Sequence, residues 1–188
     1  ELINPDTSIC KNSATTFSLV NNYNNSSATY TWHVAGEVAG PLNDSSFTTN
    51  AILFGNFNNY VIISNGSGYC RDTIRSNNPL EVRGPVLSFT APSSLCLNDS
   101  TLLVNSSKPY LPSDSLVSWS WNYGNNNLND SIYQPQPFVY RSAGGYKVKL
   151  TGIDINGCKD TLVKTVVVHP LPFLYLIPAI DTLCAGNA

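Results

Sequence analysis

Five cysteines recur at a nearly constant interval and divide the chain into repeats. Cys10, Cys96 and Cys184 stand 86 and then 88 residues apart, and each follows a short segment that contains a proline. Cys70 and Cys158 also correspond, because they begin the similar sequences Cys-Arg-Asp-Thr-Ile and Cys-Lys-Asp-Thr-Leu. The chain therefore reads as two full repeats and the opening of a third. Residues shared by every repeat most simply build the repeat, so they are poor candidates for a catalytic site.

The spacing of the cysteines within a repeat favours one disulfide in each repeat. Cys10 and Cys70 lie 60 residues apart, and Cys96 and Cys158 lie 62 apart. We expect these two pairs to be bonded, which leaves Cys184 unpaired in this chain. Metal binding is the alternative, but the sequence has no Cys-x-x-Cys pair and no histidine cluster. Disulfides persist in oxidising compartments, so the prediction places the protein outside the cell.

The composition limits the partners that we expect. Charged residues make up 12% of the chain and the net charge is -2, so there is no basic surface for nucleic acid. No run of 18 apolar residues is present, so we expect no membrane span in this segment. The remaining candidate partners are other repeats of the same chain or filament, surface glycans and surface proteins.

Alternating polar and apolar residues predict strands along most of the chain. In the second repeat Trp119, Trp121 and Tyr123 alternate with polar residues, and residues 146–151 alternate in the same way. Asn, Gly, Pro and Ser clusters separate these short runs, and no convincing amphipathic helix is present. The pattern is typical of an all-β sandwich. Because Trp32 and Trp121 are equivalent in the repeats, we expect both in the core rather than in a sugar-binding platform.

The repeat pattern also predicts the domain boundaries. We assign residues 1–85 to a first, divergent repeat, residues 86–172 to a second, and residues 173–188 to the first strand of a truncated third. Proline-containing links as short as Gly84-Pro85 restrict bending. The sequence therefore predicts a semi-rigid rod cut from a longer, exported protein.

Four segments of the second repeat carry a family resemblance. They are Trp-Ser-Trp-Asn-Tyr-Gly at 119–124, the Gln-Pro to Tyr segment at 134–140, Gly-Gly-Tyr-Lys-Val-Lys-Leu at 144–150, and Gly-Cys-Lys-Asp-Thr at 157–161. In this order they resemble the polycystic-kidney-disease (PKD) domain, whose core motif is W-x-F-G-D-G. The resemblance implies tandem immunoglobulin-like β-sandwiches. Asn125 stands where the family has an acidic residue, which puts any role of that carboxylate in doubt.

A narrower resemblance concerns the array as a whole. The first repeat departs from the core motif at residues 32–36, but the Cys-x-Asn openings, the Gly-Cys-Lys-Asp-Thr type of turn and the head-to-tail repeats are similar to large surface proteins of gliding bacteria. That resemblance implies export by the type IX secretion system and a role in gliding motility, as an adhesin or an extracellular filament.

Few residues qualify as a binding or metal site. Tyr110, in a proline-flanked loop, and Phe47, in a polar stretch, are the candidate surface-binding residues. We expect no cofactor, and the alternative left open is a calcium ion held by Asp154, Asn156 and Asp160. No nucleophile, acid/base or zinc pattern is present, so we expect no catalytic residue and no enzyme.

Two functions remain for comparison. The first is a non-catalytic structural or adhesive segment of a repetitive secreted cell-surface protein or extracellular filament. The second is a spacer or carbohydrate-binding module of a secreted multidomain hydrolase. Glycan binding that depends on Tyr110 would favour the second.

Overall fold

Every regular element in the described part of the chain is a β-strand, so the all-β prediction is confirmed. The structure is a computed structural model that describes residues 1–4, 6–20, 27–125 and 129–175. Within these residues no helix is long and apolar enough to cross a membrane.

Ten strands lie before Gly84, and we call them the first repeat. They are β1 Leu2–Ile3, β2 Ser8–Cys10, β3 Ala14–Leu19, β4 Thr29–Val34, β5 Glu37–Leu42, β6 Ser46–Asn50, β7 Gly55–Phe57, β8 Tyr60–Ser64, β9 Arg71–Arg75 and β10 Leu80–Arg83. They form three sheets, in the orders β1-β3-β6, β2-β10-β7 and β5-β4-β8-β9.

Eleven strands follow Gly84, and we call them the second repeat. They are β11 Pro85–Val86, β12 Phe89–Thr90, β13 Ser94–Cys96, β14 Ser100–Thr101, β15 Val104–Asn105, β16 Lys108–Pro109, β17 Leu116–Asn122, β18 Asn129–Asp130, β19 Phe138–Val139, β20 Gly144–Asp154 and β21 Lys159–His169. The main sheet has the order β13-β21-β20-β17-β18, and three two-stranded pairs, β11-β16, β12-β15 and β14-β19, lie beside it.

Each repeat has its own hydrophobic core, and each core contains a tryptophan on a central strand. Trp32 in β4 and Trp121 in β17 are both fully buried. Alternation places them there, because successive side chains of a strand point to opposite faces and only one face meets the core. Trp32 packs with Phe17 and Val61, whereas Trp121 belongs to the cluster of Phe89. The expectation that both tryptophans are core residues is confirmed.

The first strand after each proline segment pairs in parallel with the last strand of the same repeat. In the first repeat Cys10 is opposite Arg83, and in the second Cys96 is opposite His169. Arg83 and His169 are 86 residues apart, as are Cys10 and Cys96, so the same pairing register occurs in both repeats. Each opening cysteine therefore lies at the end of its repeat where the chain leaves for the next one.

The boundaries at residues 85 and 172 stay predictions. Of the predicted third strand, residues 173–175 are described and are exposed. The remainder of that strand, including Cys184, lies outside the described residues.

Candidate functional site

The most distinctive site is the junction between the two repeats, where a disulfide joins Cys10 to Cys158. Their Cα atoms are 5.2 Å apart although 148 residues separate them in the sequence. Cys10 ends the short strand β2, and Cys158 lies in the turn between β20 and β21. Cys158 is almost completely buried there. The junction is therefore covalent.

This bond corrects the predicted pairs Cys10–Cys70 and Cys96–Cys158, since Cys70 and Cys96 are free, exposed thiols. The reason is the topology. Cys158 precedes the first residue of β21, and Cys96 is opposite its last residue, His169. At about 3.3 Å per residue, an 11-residue strand holds these two positions roughly 35 Å apart. A disulfide needs Cα atoms within about 7 Å, so Cys96 and Cys158 cannot pair with each other.

An ion pair lies beside the disulfide. Lys11 Nζ donates to Asp160 Oδ2 at 3.0 Å, and both side chains are mostly covered. The same ammonium lies 4.9 Å from the centre of the Phe54 ring, a distance suited to a cation–π contact. Lys11 thus links a carboxylate of the second repeat to an aromatic ring of the first.

Tyr110 and Gly84 complete the junction. The rings of Tyr110 and Phe54 are stacked, with centroids 5.0 Å apart and an interplanar angle of 12°. The backbone N–H of Tyr110 donates to the carbonyl of Gly84 at 3.2 Å. Gly84 has a φ of 142°, and a Cβ atom there would lie 3.4 Å from the Cβ of Cys158. Glycine is suited to this linker position because the conformation is one that side chains disfavour.

The two candidate surface-binding residues have other contacts. Tyr110 lies in a loop, as predicted, but its ring packs on Phe54. Phe47 is not in a loop, because it belongs to β6, opposite Phe17 of β3. Its ring stacks on Trp32 at a centroid distance of 6.2 Å, on the edge of the first core. A ligand-binding role for either residue stays a prediction.

Asp154 and Asp160, two of the three residues in the calcium alternative, have different hydrogen-bond partners. Asp154 is buried, and its Oδ1 accepts the backbone N–H groups of Asn156 at 2.9 Å and Cys158 at 2.8 Å. Asp160 instead faces Lys11 and accepts the N–H of Thr161 at 2.7 Å. Among the described residues there is no group of three or more His, Cys, Asp or Glu side chains suited to a metal. These carboxylates therefore hold the turn and the junction.

Burial raises the pKa of two tyrosines in the second core. Desolvation raises the pKa of Tyr140 to about 12, and it raises the pKa of Tyr123 to about 12, with a smaller contribution from the nearby Asp130 carboxylate. The Tyr140 hydroxyl donates to the backbone carbonyl of Tyr123 at 2.9 Å. A neutral phenol at this position is part of the folded core.

Sequence reasoning missed three residues of the junction, namely Lys11, Phe54 and Gly84. Lys11 has no counterpart that the repeat pattern would reveal, since Leu97 follows the second opening cysteine where Lys11 follows the first. Phe54 corresponds to Tyr140, which is a core residue of the second repeat, so the pattern predicted a core role and not a junction contact. Gly84 was visible as part of the Gly-Pro link, but nothing in the sequence indicated that a cysteine would approach it.

Comparison with known proteins gives structural neighbours only. No family model matches the chain, and no curated protein matches it. The PKD1 domain of Vibrio anguillarum Epp is 30% identical, with 46% of this chain and 95% of that chain covered and a TM-score of 0.39. The PKD1 domain of the Vibrio cholerae metalloprotease PrtV is also 30% identical, with 45% of this chain and 95% of that chain covered and a TM-score of 0.38. Fibronectin(III)-like modules of Clostridium thermocellum CbhA are 11% identical, with coverage of 94% and 100% and a TM-score of 0.39.

Proposed function

We propose that this chain is a non-catalytic, mechanical segment of a repetitive secreted protein at the cell surface, with the repeats acting as linked spacers. The observation that carries the proposal is the disulfide between Cys10 of one repeat and Cys158 of the next. A bond across a junction adds little to the binding of a ligand, but it limits how far two neighbouring repeats can separate. Secretion follows from the same bond, because structural disulfides persist in oxidising compartments.

Noncovalent contacts support the same role. The Lys11–Asp160 ion pair and the Phe54–Tyr110 stack lie at the same junction as the disulfide. Together with the short link at Gly84 they oppose bending between the repeats. We further propose that the parent protein is an adhesin or filament of the type found in gliding bacteria, exported by the type IX system. The carbohydrate-binding alternative relied on Tyr110, and one face of that ring is covered by Phe54.

The mechanical role predicts how the chain extends under load. When the chain is pulled from its two ends, the bond bypasses the residues between its cysteines, which are 148 positions apart in the sequence. Those residues would span roughly 500 Å if fully extended, at about 3.6 Å per residue. Single-molecule stretching should therefore show about 500 Å more extension after reduction than before it.

The control for this experiment is the double variant Cys70→Ser/Cys96→Ser, which retains the junction bond and should extend like the unchanged oxidised chain. Equal extension in the oxidised and reduced states would refute the mechanical role. A glycan array supplies the complementary test, because strong binding that is lost in Tyr110→Ala would favour the carbohydrate-binding module instead.

A further inference from the structure

The disulfide joins two local structures that both occur twice in the chain. We call residues 10–13 and 96–99 the opening turns, and residues 65–70 and 154–158 the hairpin turns. The observed bond connects the opening turn of the first repeat to the hairpin turn of the second. One opening turn and one hairpin turn are left over, and each contains a free cysteine.

The two opening turns have the same backbone conformation. In each, the second residue after the cysteine is an asparagine with positive φ, 68° at Asn12 and 69° at Asn98. In each, the N–H three residues after the cysteine donates to the cysteine carbonyl, at 3.0 Å and 3.1 Å. Since the parallel pairing also repeats, Cys96 is placed on its repeat as Cys10 is placed on the first.

The two hairpin turns are also built alike. The Asn65 N–H donates to the Cys70 carbonyl at 3.1 Å, and the Asp154 N–H donates to the Cys158 carbonyl at 3.0 Å. The side-chain oxygen of the same Asn or Asp accepts the N–H of the cysteine, at 3.3 Å and 2.8 Å respectively. Cys70 and Cys158 therefore make the same two hydrogen bonds within their turns, although the turn of Cys70 is one residue longer.

The surroundings of Cys70 are those of an uncovered junction. Cys70 lines an open cleft of about 270 Å³ together with Ile63, Arg71 and Asp72. The neighbouring Tyr69 is 92% exposed. Cys158, which is bonded to the neighbouring repeat, is by contrast almost completely buried.

Cys96 lies at the end of the second repeat from which the chain continues, and the residues at that end are also exposed to solvent. Phe173, Leu174 and Tyr175 follow β21 and are between 75% and 89% exposed. One period earlier, the position of Tyr175 is taken by Phe89, which is fully buried in the core of the repeat that follows the first junction. Tyr175 is thus exposed at a position that is buried where a complete repeat follows the junction.

We propose that Cys70 and Cys96 each form the same type of bond with an adjoining copy of this repeat. Cys96 pairs with the hairpin-turn cysteine of the repeat that follows, and Cys70 pairs with the opening-turn cysteine of the repeat that precedes. The array is then a continuous series of disulfides between neighbours. This proposal rests on the mechanical function above and adds the partner, which is another copy of the same repeat.

The bond requires an oxidant, and we assign that role to a disulfide donor such as oxidised glutathione or a protein disulfide. One cysteine thiolate attacks a donor sulfur, which gives a mixed disulfide and releases one donor thiol. The second cysteine thiolate then attacks its partner sulfur in the mixed disulfide and displaces the other donor thiol. Two thiols lose two protons and two electrons, and the donor disulfide becomes two thiols.

Complementary cysteine variants test the proposal in the 188-residue chain. Both carry Cys184→Ser, so that the third opening cysteine cannot compete. One also carries Cys70→Ser and retains Cys96, and the other carries Cys96→Ser and retains Cys70. Because both free thiols are exposed, serine at these positions should leave the fold intact.

Oxidation in a glutathione buffer should link the two variants head to tail when they are mixed. We expect at least about tenfold more Cys70–Cys96 dimer in the mixture than homodimer from either variant alone, the selectivity that about 1.4 kcal/mol of docking free energy gives. Random collision would make the mixed dimer only half of all dimers. A mixed fraction of half or less would overturn the proposal.

Two peptide-mapping measurements distinguish a failure of this inference from a failure of the proposed mechanical function. Peptide mapping of the same samples shows whether Cys10–Cys158 is intact, so a chain with that bond and random outer pairing would refute only this inference. Mapping of the protein from its natural source gives the second reading. Peptides with Cys70 and Cys96 linked to equivalent turns would support the proposal, and free thiols at both positions would refute it.

Discussion

Removal of the Cys10–Cys158 bond should destabilise both repeats, even though the bond lies in the core of neither. When the second repeat unfolds while the first stays folded, Cys10 remains fixed beside Arg83. The bond then closes a loop of about 75 residues, from Arg83 to Cys158, and the chain-entropy relation gives about 4.5 kcal/mol for a loop of that length. The same reasoning applies when the first repeat unfolds alone, because Cys158 is then fixed beside Gly84.

Urea unfolding followed by tryptophan fluorescence measures this effect in both cores, since Trp32 lies in one and Trp121 in the other. With a slope of about 1.5 kcal/mol per molar urea, the loss of 4.5 kcal/mol lowers the midpoint by roughly 3 M. The variants Cys10→Ala and Cys158→Ala should each show this shift. Their combination should add little, because either change alone removes the same bond.

The control is Cys70→Ser/Cys96→Ser, which removes two exposed thiols and should change the free energy of unfolding by less than about 0.5 kcal/mol. A shift below about 1 kcal/mol in the Cys10 and Cys158 variants would refute the loop-closure argument. A shift confined to one core would refute the claim that the bond stabilises both repeats.

Three smaller predictions follow from other contacts. The partly covered Lys11–Asp160 pair should show a coupling free energy of about 0.5–1 kcal/mol in a double-mutant cycle of Lys11→Ala and Asp160→Asn, reduced at 1 M salt; no coupling would mean that the pair is incidental. Gly124→Ala should destabilise the second repeat by roughly 2 kcal/mol or more, because φ is 80° and the new Cβ would lie 2.8 Å from the backbone N of Lys147; an unchanged melting temperature would contradict this. Because folding raises the pKa of Tyr140 from 10.0 to about 12, its contribution is complete below pH 10 and is lost as the pH rises through 12. Circular dichroism and phenolate absorbance should therefore change together between pH 10 and 12, and phenolate formation without unfolding would refute the assignment.

The core was predictable from the sequence because burial in a sheet follows alternation. Val148 and Leu150 alternate with lysines in β20, and both are fully buried, as the pattern required. Equivalence between repeats placed Trp32 and Trp121 correctly for the same reason. These features depend on local sequence, which a single chain displays completely.

The disulfide was not predictable in the same way, because sequence spacing does not say at which end of a strand a cysteine lies. The pairs at separations of 60 and 62 residues looked shorter and more natural than one at 148. The parallel pairing of Cys96 with His169, at the far end of β21 from Cys158, decides against the second pair, and the bond between Cys10 and Cys158 leaves Cys70 free. Phe47 was missed for a related reason, since Ser46–Asn50 is polar enough to resemble a loop and becomes a strand only through its partner β3.

The position of the bond has a consequence for cleavage by proteases. A single cut anywhere between residues 10 and 158, for instance in the exposed segment 42–44, would leave both fragments attached through Cys10 and Cys158. The backbone would be cut once, but the two fragments would stay covalently linked. In the proposed role at the cell surface, where foreign proteases act, the bond would keep both ends of the chain linked after a cut that would release one end of an unbridged chain.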